Sequence, residues 1–425
     1  MKSYPSLLLF LIWIFMIINT IEMQAFPDDI ETCLGENERT PLKKTDKRNL
    51  YKGQVEFSIS LLKAINKMKP NENIFLSPYS TYHALLLAYF GSVDKTEKEL
   101  QNGLYLNWAE SKENVYNAYK LEKRIRSFKD NNIEFGSVDK IYVGLDTPLR
   151  NCIRQLFAEE IENLDFQGKP EQTRLNINDW VSNVTRNEIT EFLKQGDVNS
   201  ETKMILANAA YFKGQWETKF NITNTKEEIF YSGKGKTAPV SMMNHRGNFH
   251  YTISEELNCH ILELPYKGEK FSDVSMIIFL PPYTNDENGL QKILNNLTPD
   301  NLNNAMNDLE LRDVKLSLPR YSLEERLELT PFLNMIGINE LFTRRANLQG
   351  FSNEYGLLLN DALHFAKIKV DEEGSIASAA TGLFGFRKER PMGIVEFTCN
   401  HPFLFMIYDH KSKAILFFGL YQGPN

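Results

Sequence analysis

The sequence predicts a single α+β domain behind a leader and a polar extension. Apolar residues at helical spacing dominate the first half of the chain, and strand-like apolar blocks dominate the second. No internal repeat and no long linker interrupts them. At 425 residues, 42% apolar and 24% charged, the chain suffices for one large core or for two or three average domains. The missing linker makes one domain the expected count.

The elements follow in order. Residues 1–25 read as a secretory signal: Lys2 is the positive start, 7–18 the apolar stretch, and Met23-Gln24-Ala25 the cleavage region. That apolar run is short for a membrane span, so a secreted, extracellular protein without a membrane partner is expected. Residues 26–48 are polar and charged and read as a loosely ordered extension, which leaves 49–425 as the domain. Within 50–67, Val55, Phe57, Leu61, Leu62 and Ile65 recur at helical spacing. Pro78 and the run 79–90 read as a second, buried helix, and 97–170 as mostly helical. Apolar blocks at 260–265, 274–280, 314–318, 403–408 and 414–418 read as strands.

Several functions are disfavoured. A formal net charge of −7 argues against nucleic-acid binding. The chain has no G-x-S-x-G elbow, and none of its seven histidines is followed by Glu. Gly235-Lys236-Thr237 resembles the end of a phosphate loop, but Phe230 stands where the first Gly belongs. Catalysis is therefore not expected. Cys33, Cys152, Cys259 and Cys399 lack C-x-x-C spacing, which leaves three pairings open and buried free thiols equally consistent. Asn183-Val184-Thr185 and Asn221-Ile222-Thr223 are N-glycosylation acceptors, and Asn296-Leu297-Thr298 is a weaker one because Pro299 follows it.

The most informative segment is 371–391. It runs Asp371-Glu372-Glu373-Gly374-Ser375-Ile376-Ala377-Ser378-Ala379-Ala380-Thr381-Gly382 and reaches a basic cluster at Arg387-Lys388-Glu389-Arg390. By composition alone this is a flexible linker with a solvated basic patch. Its alternation says more. Ser375, Ala377, Ala379 and Thr381 would share one face of a strand, and all are small and uncharged. Such a face fits between existing strands without overpacking. The basic cluster is a cleavage signal for trypsin-type proteases.

These blocks resemble the serpin family over about residues 50–424. Asn73-Ile74-Phe75-Leu76-Ser77-Pro78-Tyr79-Ser80 is similar to its N-x-x-x-S-P-x-S motif, and Asn208-Ala209-Ala210-Tyr211-Phe212-Lys213-Gly214-Gln215-Trp216 to its N-x-x-x-F-K-G-x-W block. His401-Pro402-Phe403-Leu404-Phe405 and Ile415-Leu416-Phe417-Phe418-Gly419 resemble its closing strands. One departure, Gly91-Ser92-Val93-Asp94, lacks a second Gly and touches only a turn. The overall style resembles extracellular arthropod inhibitory members, so a place in an extracellular defence or clotting cascade is the expectation.

The resemblance implies three β-sheets, about nine helices, a monomer, and a reactive loop over 371–391. It also implies a trap: a serine protease acylates itself on the loop, which then inserts into the main sheet. Glu373, Gly374, Ser375, Ala377, Ala379 and Thr381 would form the hinge, with no Pro or charge on the inserting face to stall it. Fourteen residues beyond Gly374 place the scissile bond at Lys388-Glu389, with Arg387 and Arg390 as alternatives. A Lys there calls for a trypsin-like protease. The R-x-x-R pattern ending at Arg390 fits a furin-like convertase instead, and a non-inhibitory carrier is the other rival. Ser77, Asn208 and His364 correspond to the shutter, and Trp216 to the aromatic that covers the top of the sheet. Lys120, Lys123 and Arg124 share a helix face that reads as solvated or as a site for a sulfated glycosaminoglycan, the one cofactor the sequence suggests.

Overall fold

The computed structural model describes residues 33–34, 44–126, 133–233, 235–268, 273–283, 288–353, 356–359, 362–374 and 393–424. In chain order these form α1 (Lys44–Met68), β1 (Ile74–Leu76), α2 (Pro78–Gly91), α3 (Asp94–Gly103), α4 (Lys112–Arg126) and β2 (Ile133–Gly144). Next come α5 (Asn151–Leu156), β3 (Ile161–Leu164), α6 (Pro170–Val184), β4 (Met204–Gly214), β5 (Lys226–Gly233), β6 (Lys236–Ser254), β7 (Cys259–Pro265) and β8 (Val274–Leu280). The chain continues through α7 (Gly289–Asn296), α8 (Pro299–Asn307), β9 (Glu310–Pro319), β10 (Tyr321–Glu328), α9 (Thr330–Met335) and β11 (Ala362–Val370). It closes with β12 (Val395–Thr398), β13 (Phe403–Asp409) and β14 (Ala414–Tyr421).

The described residues thus hold nine α-helices, matching the expected number. What was expected as three sheets is hydrogen-bonded into two: β10-β11-β4-β2-β3, and a nine-stranded sheet in the order β1-β14-β13-β8-β7-β6-β9-β12 with β5 on β6. The reason is the 19-residue β6. Its start pairs with β5, its middle with β9 and its end with β7, so one strand belongs to what would be two sheets.

Local chemistry sets the elements. In α2, Ser77 caps the N-terminus by accepting from the N–H of Ser80, and Pro78 supplies the first turn without needing a donor. All fourteen residues of α2 are buried, so it is the helix of an interior and not of a surface. The region 97–170 is not mostly helical, because β2 and β3 lie in it. β2 is a central strand with tertiary partners on both edges, and those partners override the polar residues that obscure its pattern. At the amino end, α1 begins at Lys44, inside the segment read as extension, and Cys33 and Leu34 are buried in the main core.

The five-stranded sheet positions the site. Its central strand β4 is buried along nearly its whole length. On one face Ala207 and Ala209, with Leu363 and Phe365 of β11, pack under Ile177 and Val181 of α6 and under Phe192. On the other face Leu206 and Phe212 enter the two larger cores. A strand covered on both faces reads as a continuous apolar run, as β4 does.

Candidate functional site

β11 and β4 run parallel and pair from Ala362/Leu206 to Lys367/Tyr211. Above that point 368–370 pairs only with β10, and 212–214 only with β2. The two central strands therefore diverge toward the top, and the chain leaving β11 turns into the gap. Asp371 and Gly374 exchange backbone hydrogen bonds of 3.3 and 3.2 Å, which makes 371–374 a tight reversing turn with Glu372 and Glu373 at its tip. Gly374 is bridged antiparallel to Asp371 on one side and to Gln215, just past β4, on the other. Its φ is +102°, and a Cβ there would lie 2.4 Å from both Gly214 O and Trp216 N. Only glycine fits this position.

Each carboxylate of the turn has a cation. Asp371 pairs with Lys369 at 3.0 Å and Glu373 with Lys219 at 2.6 Å. Glu372 is buried and accepts from Arg320 and, at 2.6 Å, from the Thr225 hydroxyl. Desolvation pushes the Glu372 carboxyl up, but the bonds from Arg320 and Thr225 outweigh it and hold the group below its ordinary range. The backbone is fixed as well: Trp216 N donates to Glu373 O at 3.2 Å and Phe220 N to Glu372 O at 3.0 Å. The buried Trp216 ring stacks on Tyr266 at 4.4 Å and donates through Nε1 to Asp371 O at 2.9 Å. Trp216 thus holds the turn beside the gap.

Lower down, Ser77, Asn208 and His364 come together, all buried. His364 and Asn208 are register partners across β11 and β4, and His364 Nδ1–H donates to Asn208 Oδ1. Its Nε2 accepts from the backbone N–H of Ser77 at 3.0 Å, and Ser77 Oγ donates to Leu416 O at 2.8 Å. An imidazole that accepts a backbone N–H has no room for a second ring proton. Burial accordingly pushes the His364 pKa down to about 3. Asp139 of β2, missed in the sequence, completes the network: it accepts from Asn208 Nδ2 at 2.6 Å, Ser80 Oγ at 2.8 Å and Ser137 Oγ at 2.7 Å. Desolvation lifts its pKa to about 6 against those three bonds.

The comparisons with known proteins decide the family. The family model described as serpin (serine protease inhibitor) matches residues 52–424. The chain belongs to the serpin family. It is 43% identical over 391 residues to serine protease inhibitor 88Ea of Drosophila melanogaster, covering 88% of this chain and 91% of that one. It is 34% identical over 384 residues to the leukocyte elastase inhibitor of Homo sapiens, covering 88% and 99%. Among solved structures it is similar to maspin (TM-score 0.79, 27% identity, 90% and 100% covered) and to uncleaved ovalbumin (0.77, 28%, 88% and 100%). Membership places this serpin with protease inhibitors, not enzymes, and the proteases such inhibitors meet are serine proteases. Consistently, Gly235 with φ +71° is the tip of the β5–β6 hairpin and no part of a phosphate loop.

The remaining predicted positions of this serpin divide. Ser375, Ala377, Ala379, Thr381, Arg387, Lys388, Glu389 and Arg390 lie outside the described residues. Asn183 is exposed in the last turn of α6, and Asn221 is exposed with its Oδ1 accepting from Thr223 N and Oγ1. On α4, Lys120 lies over the Tyr116 ring, whereas Lys123 pairs with Glu160 and, at 3.3 Å, with Glu159. Arg124 is exposed. Cys33 and Cys152 form a disulfide, whereas Cys259 and Cys399 are buried free thiols, so none of the three complete pairings is formed. Burial pushes the Cys259 thiol up to about 12. Sequence reading missed Arg320, Lys219, Thr225 and Tyr266. No strand-like block read from the sequence singles any of them out.

Proposed function

We propose that this serpin is a secreted inhibitor of trypsin-like serine proteases that traps its target by inserting the cleaved loop between β4 and β11. One observation carries the reading: Gly374 is bridged antiparallel to Gln215 on one side and to Asp371 on the other, in the gap where β4 and β11 diverge. In the proposed reaction the protease serine attacks the Lys388 carbonyl, the amine of Glu389 leaves with a proton from the protease's histidine, and Lys388 remains as an ester. Freed at one end, the loop zips downward from Ser375. Fourteen strand residues reach about 45 Å and carry the bound protease that far.

The path is built for such a strand. It passes between α6 and the core, so both faces become buried, which suits the small residues of 375–382. The His364–Asn208 bond crosses the path and has to open. Secretion is supported by the leader-like residues 1–25 and by a disulfide, which is stable in oxidising compartments.

The test is incubation of the purified protein with trypsin, read by denaturing gel and mass spectrometry. A complex that survives boiling, with a new amino terminus at Glu389, is expected. Clean cleavage without a complex contradicts the trap and leaves the carrier reading. A released peptide beginning at Pro391 moves the bond to Arg390 and the target to a convertase-like enzyme.

A further inference from the structure

Trapping requires the loop to enter the sheet before the ester hydrolyses, and the role of Lys219 rests on that proposed trap. The turn at 371–374 is held from two sides. Lys369 belongs to β11 and Arg320 directly precedes β10, so the pairs to Asp371 and Glu372 tie the turn to the β10–β11 side. Lys219 comes from the other side, on the segment that continues β4 past Gly214. That segment is rigidly based, because Glu217 N donates to Pro265 O at 2.9 Å and Lys267 N to Gln215 O at 2.7 Å. Its contacts to the turn are two backbone hydrogen bonds, the bond from Trp216 Nε1 to Asp371 O, the Gln215/Gly374 bridge and the Lys219–Glu373 pair; Thr225 joins them through Glu372.

We propose that Lys219 is a positioning residue for trapping. Its pair with Glu373 keeps the reversing turn seated on the β4 side, so that Gly374 stays in register with both neighbours as the start of the new strand. The conformational entropy of forming that turn is then met before the protease arrives. Without Lys219, three successive carboxylates repel one another with cations on one side only, and the β4 side holds the turn by its hydrogen bonds alone. Lys219 acts through Glu373 on the competition between insertion, which traps the enzyme, and hydrolysis, which releases it.

A partly exposed ion pair of this kind corresponds to a roughly two- to five-fold change in a rate. The experiment compares the full-length protein, Lys219→Ala and Lys219→Arg against trypsin. It records inhibitor molecules consumed per protease trapped, the second-order rate of loop attack, and the denaturation midpoint. In Lys219→Ala the excess consumed over one is expected to rise roughly two- to five-fold, with attack rate and midpoint unchanged, and Lys219→Arg is expected to restore it. An unchanged ratio in Lys219→Ala, while the unaltered protein forms its covalent complex, overturns the inference. So does a rise that tracks a lower midpoint and that Lys219→Arg fails to restore, since that marks a merely structural role. No covalent complex from the unaltered protein overturns the trap itself, and this inference with it.

Discussion

Gly374 is the residue where backbone geometry and function coincide. Its positive φ and the 2.4 Å approach to Gly214 O and Trp216 N leave no place for a side chain. Gly374→Ala is expected to cost about 1–3 kcal/mol in the intact protein and to raise the inhibitor consumed per protease trapped, both measurable in a urea titration and a titration against trypsin. Glu372 differs, because its role is electrostatic. Glu372→Gln keeps the shape but leaves Arg320 facing a neutral partner across the turn. A loss of about 1–3 kcal/mol is expected, read as a lower denaturation midpoint. Sequence pattern announces Gly374 through the small-residue run beside it. It does not announce Arg320, 52 positions from Glu372, because one charge at a strand start is locally indistinguishable from a solvated one.

Between β11, β4 and β2 the network of His364, Asn208 and Asp139 makes the strand contact depend on pH, and its two titrating groups act in opposite directions. His364 has its pKa depressed from 6.5 to about 3, so its contribution is complete above 6.5 and is lost as pH falls toward 3. Asp139 has its pKa raised from 3.8 to about 6, so its contribution is complete below 3.8 and is lost as pH rises toward 6. From pH 3.8 to 6 the two slopes oppose each other. Asp139→Asn removes one of them, and the variant is expected to lose stability faster than the unaltered protein between pH 6 and 4, by about 1.4 kcal/mol per pH unit at most. Parallel slopes of denaturation midpoint against pH would contradict this. At this scale Ser77 and Asn208 were legible because each sits in a recognisable block, whereas His364 came only from what the family resemblance implies. Asp139 was not legible, because the polar residues of β2 mask the alternation of a strand whose neighbours come from far along the chain.

Over the whole molecule, long-range links matter more than local pattern. The Cys33–Cys152 disulfide spans 119 residues and ties the segment before α1 to α5. Four cysteines allow three pairings, and only the fold brings these two together. Cys33→Ser is expected to destabilise the protein by about 2–5 kcal/mol, visible as a lower midpoint that reducing agent no longer shifts. The merging of two expected sheets through β6 was likewise invisible locally, since strand length is set by partners on both edges. The α+β class and the helix count were legible, being sums over many periodic segments that no single partner decides. On the proposed trap, the intact chain is a metastable state whose main sheet lacks one strand. Its most direct test is the melting temperature before and after a single cut within 387–390 by a catalytic amount of trypsin. Nicking a surface loop ordinarily leaves stability unchanged or lowers it; here the cleaved protein is expected to melt well above the intact one, because the freed loop fills the gap between β4 and β11. An equal or lower melting temperature after that cut would contradict insertion and the trap that depends on it.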